Sequence, residues 1–250
     1  MTKDDRATAV FDDLAAEYEQ LDAVLAGLEP DMWARPSAAD GWTIADVVLH
    51  LAQTEEAVIA SVAGDLPGRA ARAAVPVDEL VEGLVAGERG APGAEVFERW
   101  RSAGRSALEA LRACSPGDRL QWVVTAFSPR TLATTRIAEH WAHALDITEP
   151  LGLDYPDTAR LRHIAWLAHR TLPYAFSVAG EQGGPVRCEL TGPGGELWRF
   201  GDADTPSVIS GPAAEFCRVG ARRLPAERAS LTAQGPYAAA ALRVLRNYAA

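Results

Sequence analysis

The sequence predicts a helical bundle over residues 1–150 followed by a small α+β domain over residues 151–250. Two observations carry that division. Before residue 150, four long stretches repeat apolar residues every three or four positions, the period of an amphipathic helix. After Glu149-Pro150 the apolar runs shorten, become richer in β-branched residues and are bounded by Gly and Pro, the pattern of strands and turns. A length of 250 residues suits either one large domain or two modest ones.

In the first stretch, residues 5–28, Val10, Leu14, Tyr18, Leu21, Leu25 and Leu28 recur at helical spacing, and Glu29-Pro30 ends it. Asp40-Gly41-Trp42-Thr43 reads as a turn and helix start. Thr43 with Asp46 three residues on resembles a capping box, and the helix runs to about Ala63 before Gly64 stops it. Residues 68–93 read as a partly helical excursion over the site, with one periodic patch from Val77 to Val85. A third long helix spans about 94–113 on Val96, Phe97, Trp100, Leu108 and Leu111. Gln121 to Phe127, short, apolar and β-branched, could form a strand, but an extended connector to Ser128 is preferred, and Pro129 fits the first turn of a fourth helix, about 129–148. Four long helices in this order suggest an up-down bundle. Beyond it, 157–178 reads as one helix. Val186–Thr191 and Leu197–Phe200 flank a Gly-Pro-Gly-Gly turn as a hairpin. Val208-Ile209 and Leu231–Ala233 read as further strands, and helices open at Gly211-Pro212 and Gly235-Pro236, the last reaching Tyr248.

The net charge of −10 argues against a nucleic-acid or anionic-membrane surface. No apolar run approaches the roughly 20 residues of a membrane helix. The N-terminus shows no signal-peptide core, and three scattered cysteines (Cys114, Cys188 and Cys217) fit a reducing compartment, so a cytoplasmic location is expected.

One stretch carries the chemistry: Arg136-Ile-Ala-Glu139-His140-Trp-Ala-His143-Ala-Leu-Asp146. At 100° per residue, Glu139 and His143 lie roughly 40° apart on one helix face, and Arg136 and Asp146 extend that face. Burying such groups is unfavourable unless something pairs with them or binds them. A divalent cation takes a carboxylate and an imidazole together. His50, mid-way along the second helix, is the candidate third ligand, because facing bundle helices approach to about 8–10 Å. Two His and one Glu suit zinc, the preferred ion, and also iron(II) or nickel(II). Spacing leaves His140 open as a competitor of Glu139. His163 and His169 read as structural or surface groups.

Asp40-Gly-Trp-Thr-Ile-Ala-Asp-Val-Val-Leu-His50-Leu51 resembles the GWT-x-x-D-x-x-x-H-L motif of the DinB-like, mycothiol-dependent maleylpyruvate isomerase family. Arg136-x-x-Glu139-x-Trp-x-His143-x-x-Asp146 resembles that family's second motif. The segment Ile209 to Arg223, followed by Leu231-Thr-Ala-Gln-Gly235, resembles the C-terminal domain of a two-domain actinobacterial branch. The resemblance implies a DinB-like metal-binding four-helix bundle with His50, Glu139 and His143 as ligands, and it favours Glu139 over His140. It also implies a metal-dependent transferase or isomerase using a low-molecular-weight thiol such as mycothiol.

On that reading a metal-bound thiol loses its proton near neutral pH and attacks a small electrophilic metabolite. Asp146 could hold the far nitrogen of a ligand His, and Arg136 could orient Glu139 or bind an anionic substrate. Arg222 and Arg223, with Arg170, could contact a substrate carboxylate or the polar groups of the thiol. The alternatives are a thiol-independent metal-dependent hydrolase or cyclase in secondary metabolism, and a non-catalytic metal- or ligand-binding protein.

Overall fold

The structure, a computed structural model, describes residues 5–66, 76–122 and 125–247. It divides into two compact units, Met1–Tyr155 and Pro156–Ala249. Four long helices dominate the first: α1 (Asp5–Leu25), α2 (Ile44–Ala63), α4 (Gly93–Ala113) and α5 (Pro129–Leu151), with a shorter α3 (Val77–Glu88) between α2 and α4. Their apolar stripes meet in a core that includes Leu14, Leu21, Leu25, Ile44, Leu51, Leu111, Leu132 and Ile137, all essentially without solvent exposure. Residues 67–75 of the expected excursion lie outside the described residues.

The helix ends follow local chemistry. Thr43 accepts from the Asp46 backbone N–H while the Asp46 carboxylate accepts from the Thr43 N–H, so the capping box forms as the sequence suggests. Gly64 ends α2, and Gly152 ends α5, each in the left-handed conformation that a glycine adopts without strain.

The path of the chain differs from an up-down bundle. Asp22 binds Arg101 and Asp12 binds Arg112, so α1 and α4 run antiparallel. His50 faces His143 while Glu55 faces Arg136, so α2 and α5 are antiparallel too. The Trp33 ring, just ahead of α2, lies against Phe97 and against Gly93, where a side chain would collide with it. The starts of α2 and α4 therefore share one end of the bundle, and the order is up-down-down-up. Between the end of α2 and the start of α4 the chain therefore returns to the end where α2 began. Connection length sets direction here, which apolar periodicity does not encode.

The expected connector at 121–127 is corrected. Two short strands, β1 (Leu120–Gln121) and β2 (Ala126–Phe127), pair antiparallel, and the Trp122 N–H donates to the Thr125 carbonyl at 3.0 Å. Residues 123–124 lie outside the described set.

In the second unit, α6 (Leu161–Arg170) and α7 (Leu172–Ala179) replace the single helix expected over 157–178. Pro173 has no N–H, and its ring conflicts with the carbonyl one turn earlier, so the helix breaks at Thr171. The Thr171 hydroxyl lies within bonding distance of the carbonyls of Leu167, Ala168 and Arg246. Strands β3 (Arg187–Thr191), β4 (Leu197–Phe200), β5 (Val208–Pro212) and β6 (Thr232–Gln234) form one sheet in the order β4-β3-β5-β6. The β3–β4 and β5–β6 pairs are antiparallel and β3–β5 is parallel. Helix α8 (Ala213–Gly220) buries Phe216 and Cys217, and α9 (Ala238–Val244) ends before the expected Tyr248, which lies outside the described residues. Among the described residues no helix is long and apolar enough to cross a membrane.

Candidate metal centre

Antiparallel packing of α2 and α5 brings three donors together. His50 lies in the second turn of α2, and Glu139 and His143 lie one turn apart on α5. One ligand atom from each falls within 4.8 Å of the others. Glu139 Oε2 stands 3.5 Å from His143 Nε2 and 3.7 Å from His50 Nε2. Donors placed tetrahedrally about zinc at its usual bond lengths are separated by about 3.3 Å. The donor types and their spacing therefore fit a divalent ion after small side-chain adjustments.

The second nitrogen of His143 is already engaged. Its Nδ1–H donates to Asp146 Oδ2 at 2.9 Å, and Asp146 is buried rather than exposed at the helix end. This bond directs Nε2 toward Glu139 and fixes the tautomer that a metal requires. Asp146 is itself held from behind. Pro150 cannot donate to the Asp146 carbonyl as an ordinary residue at that position would, and the Ala38 N–H takes its place at 2.8 Å. The proline thus stitches the loop before α2 onto α5 beside the site.

Burial disfavours ionisation of Glu139, but the close imidazoles of His143 and His50 and the nearby charge of Arg136 outweigh it, holding the carboxyl well below its ordinary value. Burial also pushes down on His143, yet Asp146 and Glu139 raise it overall, whereas burial lowers His50. In the ion-free protein the surroundings favour the ionised form of Glu139, the protonated form of His143 and the neutral form of His50. The raised His143 sets a sign. Its proton stabilises the ion-free fold fully below the ordinary value of 6.5, and that contribution fades as pH rises through the elevated folded value. In the window just above 6.5, zinc uptake is expected to displace this proton, so affinity falls as pH falls. Calorimetric titration in buffers of differing ionisation enthalpy would read the released proton; a buffer-independent enthalpy would contradict the assignment. Asp146→Asn is expected to weaken zinc binding about 10- to 100-fold, measured by competition with a chromophoric chelator.

His140, the competitor on spacing, turns to the other side of α5. Trp100 Nε1–H donates to His140 Nε2 at 3.0 Å, and His140 Nδ1–H donates to the Arg136 carbonyl at 2.9 Å. Both nitrogens are occupied, and burial followed by the Arg136 charge keeps the ring neutral. Arg136 does not offer its guanidinium to an anionic substrate. It is 2% exposed, and it donates to Glu55 Oε1 at 2.7 Å and to the Thr54 hydroxyl at 2.8 Å.

The buried Glu55 went unrecognised in the sequence. Its signal was present: Leu51, Glu55 and Val58 share one stripe of α2, so a carboxylate stands on a core face opposite an arginine. Arg170 and Arg222 are exposed on the second unit, and Arg222 adopts a left-handed backbone with φ 63°. Arg223 donates to the Ala221 carbonyl at 2.6 Å.

Residues 14–148 match the family described as mycothiol maleylpyruvate isomerase N-terminal domain, which is more than half of the chain. Two proteins of Mycobacterium tuberculosis, from strains CDC 1551 and H37Rv, are each 37% identical over 213 residues, 82% of this chain and 81% of the relative; their names assign no activity. Two crystal structures, of the mycothiol-dependent maleylpyruvate isomerase and of a histidine-to-alanine mutant of it, are similar in fold. Their TM-scores are 0.60 and 0.61 at 16% and 15% identity, over 92% of this chain and 95% of each. With its helical N-terminal region, its small C-terminal sheet domain and the matched span running through His50, Glu139 and His143, the chain belongs to the mycothiol maleylpyruvate isomerase N-terminal domain family.

Proposed function

We propose that the protein is a metal-dependent enzyme, zinc being the preferred ion, that uses a low-molecular-weight thiol such as mycothiol to transfer to or isomerise a small electrophilic metabolite. The observation that carries this reading is the convergence of two imidazoles and a carboxylate, with His143 Nδ1 already bonded to Asp146. Family membership supports the thiol, and the solved relatives are named for isomerising maleylpyruvate.

When bound, a divalent ion at these donors would acidify a thiol and polarise a substrate carbonyl. The chain's own groups set the conditions for that. Glu139 brings the negative charge that an ion needs and stays ionised across the physiological range. Asp146 keeps the His143 ring fixed. Glu139 is also the most exposed of the three, with 30% of its side chain reaching solvent against 9% for His50 and 14% for His143, so a reactant approaches on the carboxylate side. In the isomerase form, the thiolate sulfur adds to one carbon of a conjugated double bond. The electron pair moves toward the carbonyl, the resulting single bond rotates, and expulsion of the thiolate restores the double bond. No oxidant or reductant is consumed.

The test is turnover of maleylpyruvate by zinc-loaded protein with and without mycothiol, followed by chromatographic separation of the cis and trans isomers and by mass spectrometry for thiol adducts. Thiol-dependent turnover or adduct formation is expected. Metal-dependent turnover of a substrate without thiol would replace this reading with the hydrolase or cyclase one. A bound ion with neither activity would favour a binding protein.

A further inference from the structure

Trp42, on the loop ahead of α2, lies against both imidazoles of the candidate site. Its ring centroid is 5.3 Å from that of His50 and 6.5 Å from that of His143, nearly parallel to the latter at 20°. The indole is not held by its own loop. Its N–H donates to Glu82 Oε2 at 2.6 Å, 40 residues further along, on α3. The other Glu82 oxygen accepts from Arg89 at 3.1 Å, and Arg89 reaches Asp46, the capping residue of α2, at 3.3 Å. A chain of bonds from Trp42 through Glu82 and Arg89 to Asp46 therefore joins α3 to the start of α2.

The rest of α3 is attached in the same polar way. Gln53 donates to the Leu84 carbonyl and to Glu88, and Arg99 bridges Glu88 and Glu56. Val85 is the one fully buried side chain of this helix, while Leu80 and Leu84 are exposed. Among the described residues so little apolar contact leaves the placement of α3 dependent on these bonds, and with it the placement of the indole.

We propose that Trp42 is a positioning residue, set by Glu82, that walls the imidazole side of the centre and leaves Glu139 as the side from which a reactant enters. This rests on the metal-centre reading above. The indole shields both imidazoles from solvent and gives an incoming molecule a flat surface to lie against. Glu82 acts only through it.

The experiment compares Trp42→Phe, Glu82→Leu and Glu82→Gln in the full-length protein. Subtracting the Trp42→Phe spectrum from that of the wild type isolates the fluorescence of Trp42 in the ion-free protein. Glu82→Leu is expected to shift that component to the red as the ring becomes solvated, and Glu82→Gln, which keeps an acceptor oxygen for the indole, to restore most of it. With cobalt(II) as the probe, the Trp42 component is quenched in the wild type and less so in Glu82→Leu at equal cobalt content. In the zinc-loaded enzyme with thiol, Glu82→Leu is expected to raise KM about 2- to 10-fold, the scale of one aromatic contact, with a smaller change in kcat. Glu82→Leu spectra and KM matching the wild type would overturn the proposal. Absence of cobalt binding in the wild type would instead sink the metal centre, and the red shift would still decide whether Glu82 sets the indole.

Discussion

Glu55→Ala is expected to destabilise the first unit by about 3–5 kcal/mol, because it leaves the buried Arg136 guanidinium without its counter-ion. For a domain of this size that corresponds to a fall of roughly 6–20 °C in Tm, read by thermal unfolding. The two side chains are 0% and 2% exposed and meet at 2.7 Å, so solvent screens little of the loss. The remaining members of this layer make the pair harder to replace. His140 stands 3.7 Å from Glu55 Oε1, Tyr18 packs edge-on to His140 at 4.7 Å, and Trp100 bonds His140 from the far side. Burial, followed by the Glu55 charge, pushes the Tyr18 hydroxyl well above its ordinary value, so it stays protonated. Replacing both charges by leucine is expected to recover most of the stability, since paired apolar groups leave no orphaned charge. An unchanged Tm for Glu55→Ala would show that the layer does not bear on folding.

His143→Ala is expected to lower zinc affinity by more than about 100-fold, beyond the loss on removing a supporting group such as Asp146. It deletes an inward donor and leaves Asp146 buried without the imidazole it holds. His50→Ala is expected to act similarly from the α2 side. Thiol-dependent activity should fall with metal content in both variants, measured by elemental analysis and a turnover assay on the same samples. Undiminished zinc in either variant would remove that histidine from the ligand set. Glu139→Gln keeps the shape but loses the charge that His143, His50 and Arg136 favour, so weaker binding with the fold retained is expected.

Much of this architecture is legible residue by residue. Thr43 and Asp46 mark the start of α2 and Gly64 marks its end because capping chemistry is local. The Gly-Pro-Gly-Gly turn marks the β3–β4 hairpin for the same reason. Helical spacing on two facing stripes makes His50 and His143 candidates with either Glu139 or His140; the motif resemblance favours Glu139, and the structure brings His50, Glu139 and His143 together. What escapes the sequence is non-local. Helix direction depends on the crossover that carries α3, and the break at Thr171 depends on how one proline is accommodated. The core stripe of α2 shows that Glu55 is buried, but only the fold shows that its partner is Arg136, 81 residues further on. The bond that holds the Trp42 indole is likewise distant in sequence, since Glu82 comes from α3, 40 residues further on.

The most direct test of the metal centre is anomalous diffraction at the zinc edge from crystals of zinc-loaded protein, combined with elemental analysis of the same preparation. One ion per chain is expected, bound by Nε2 of His50, Nε2 of His143 and the Glu139 carboxylate, with His143 Nδ1 still on Asp146. Full zinc occupancy at other residues, or none after loading, would contradict the account.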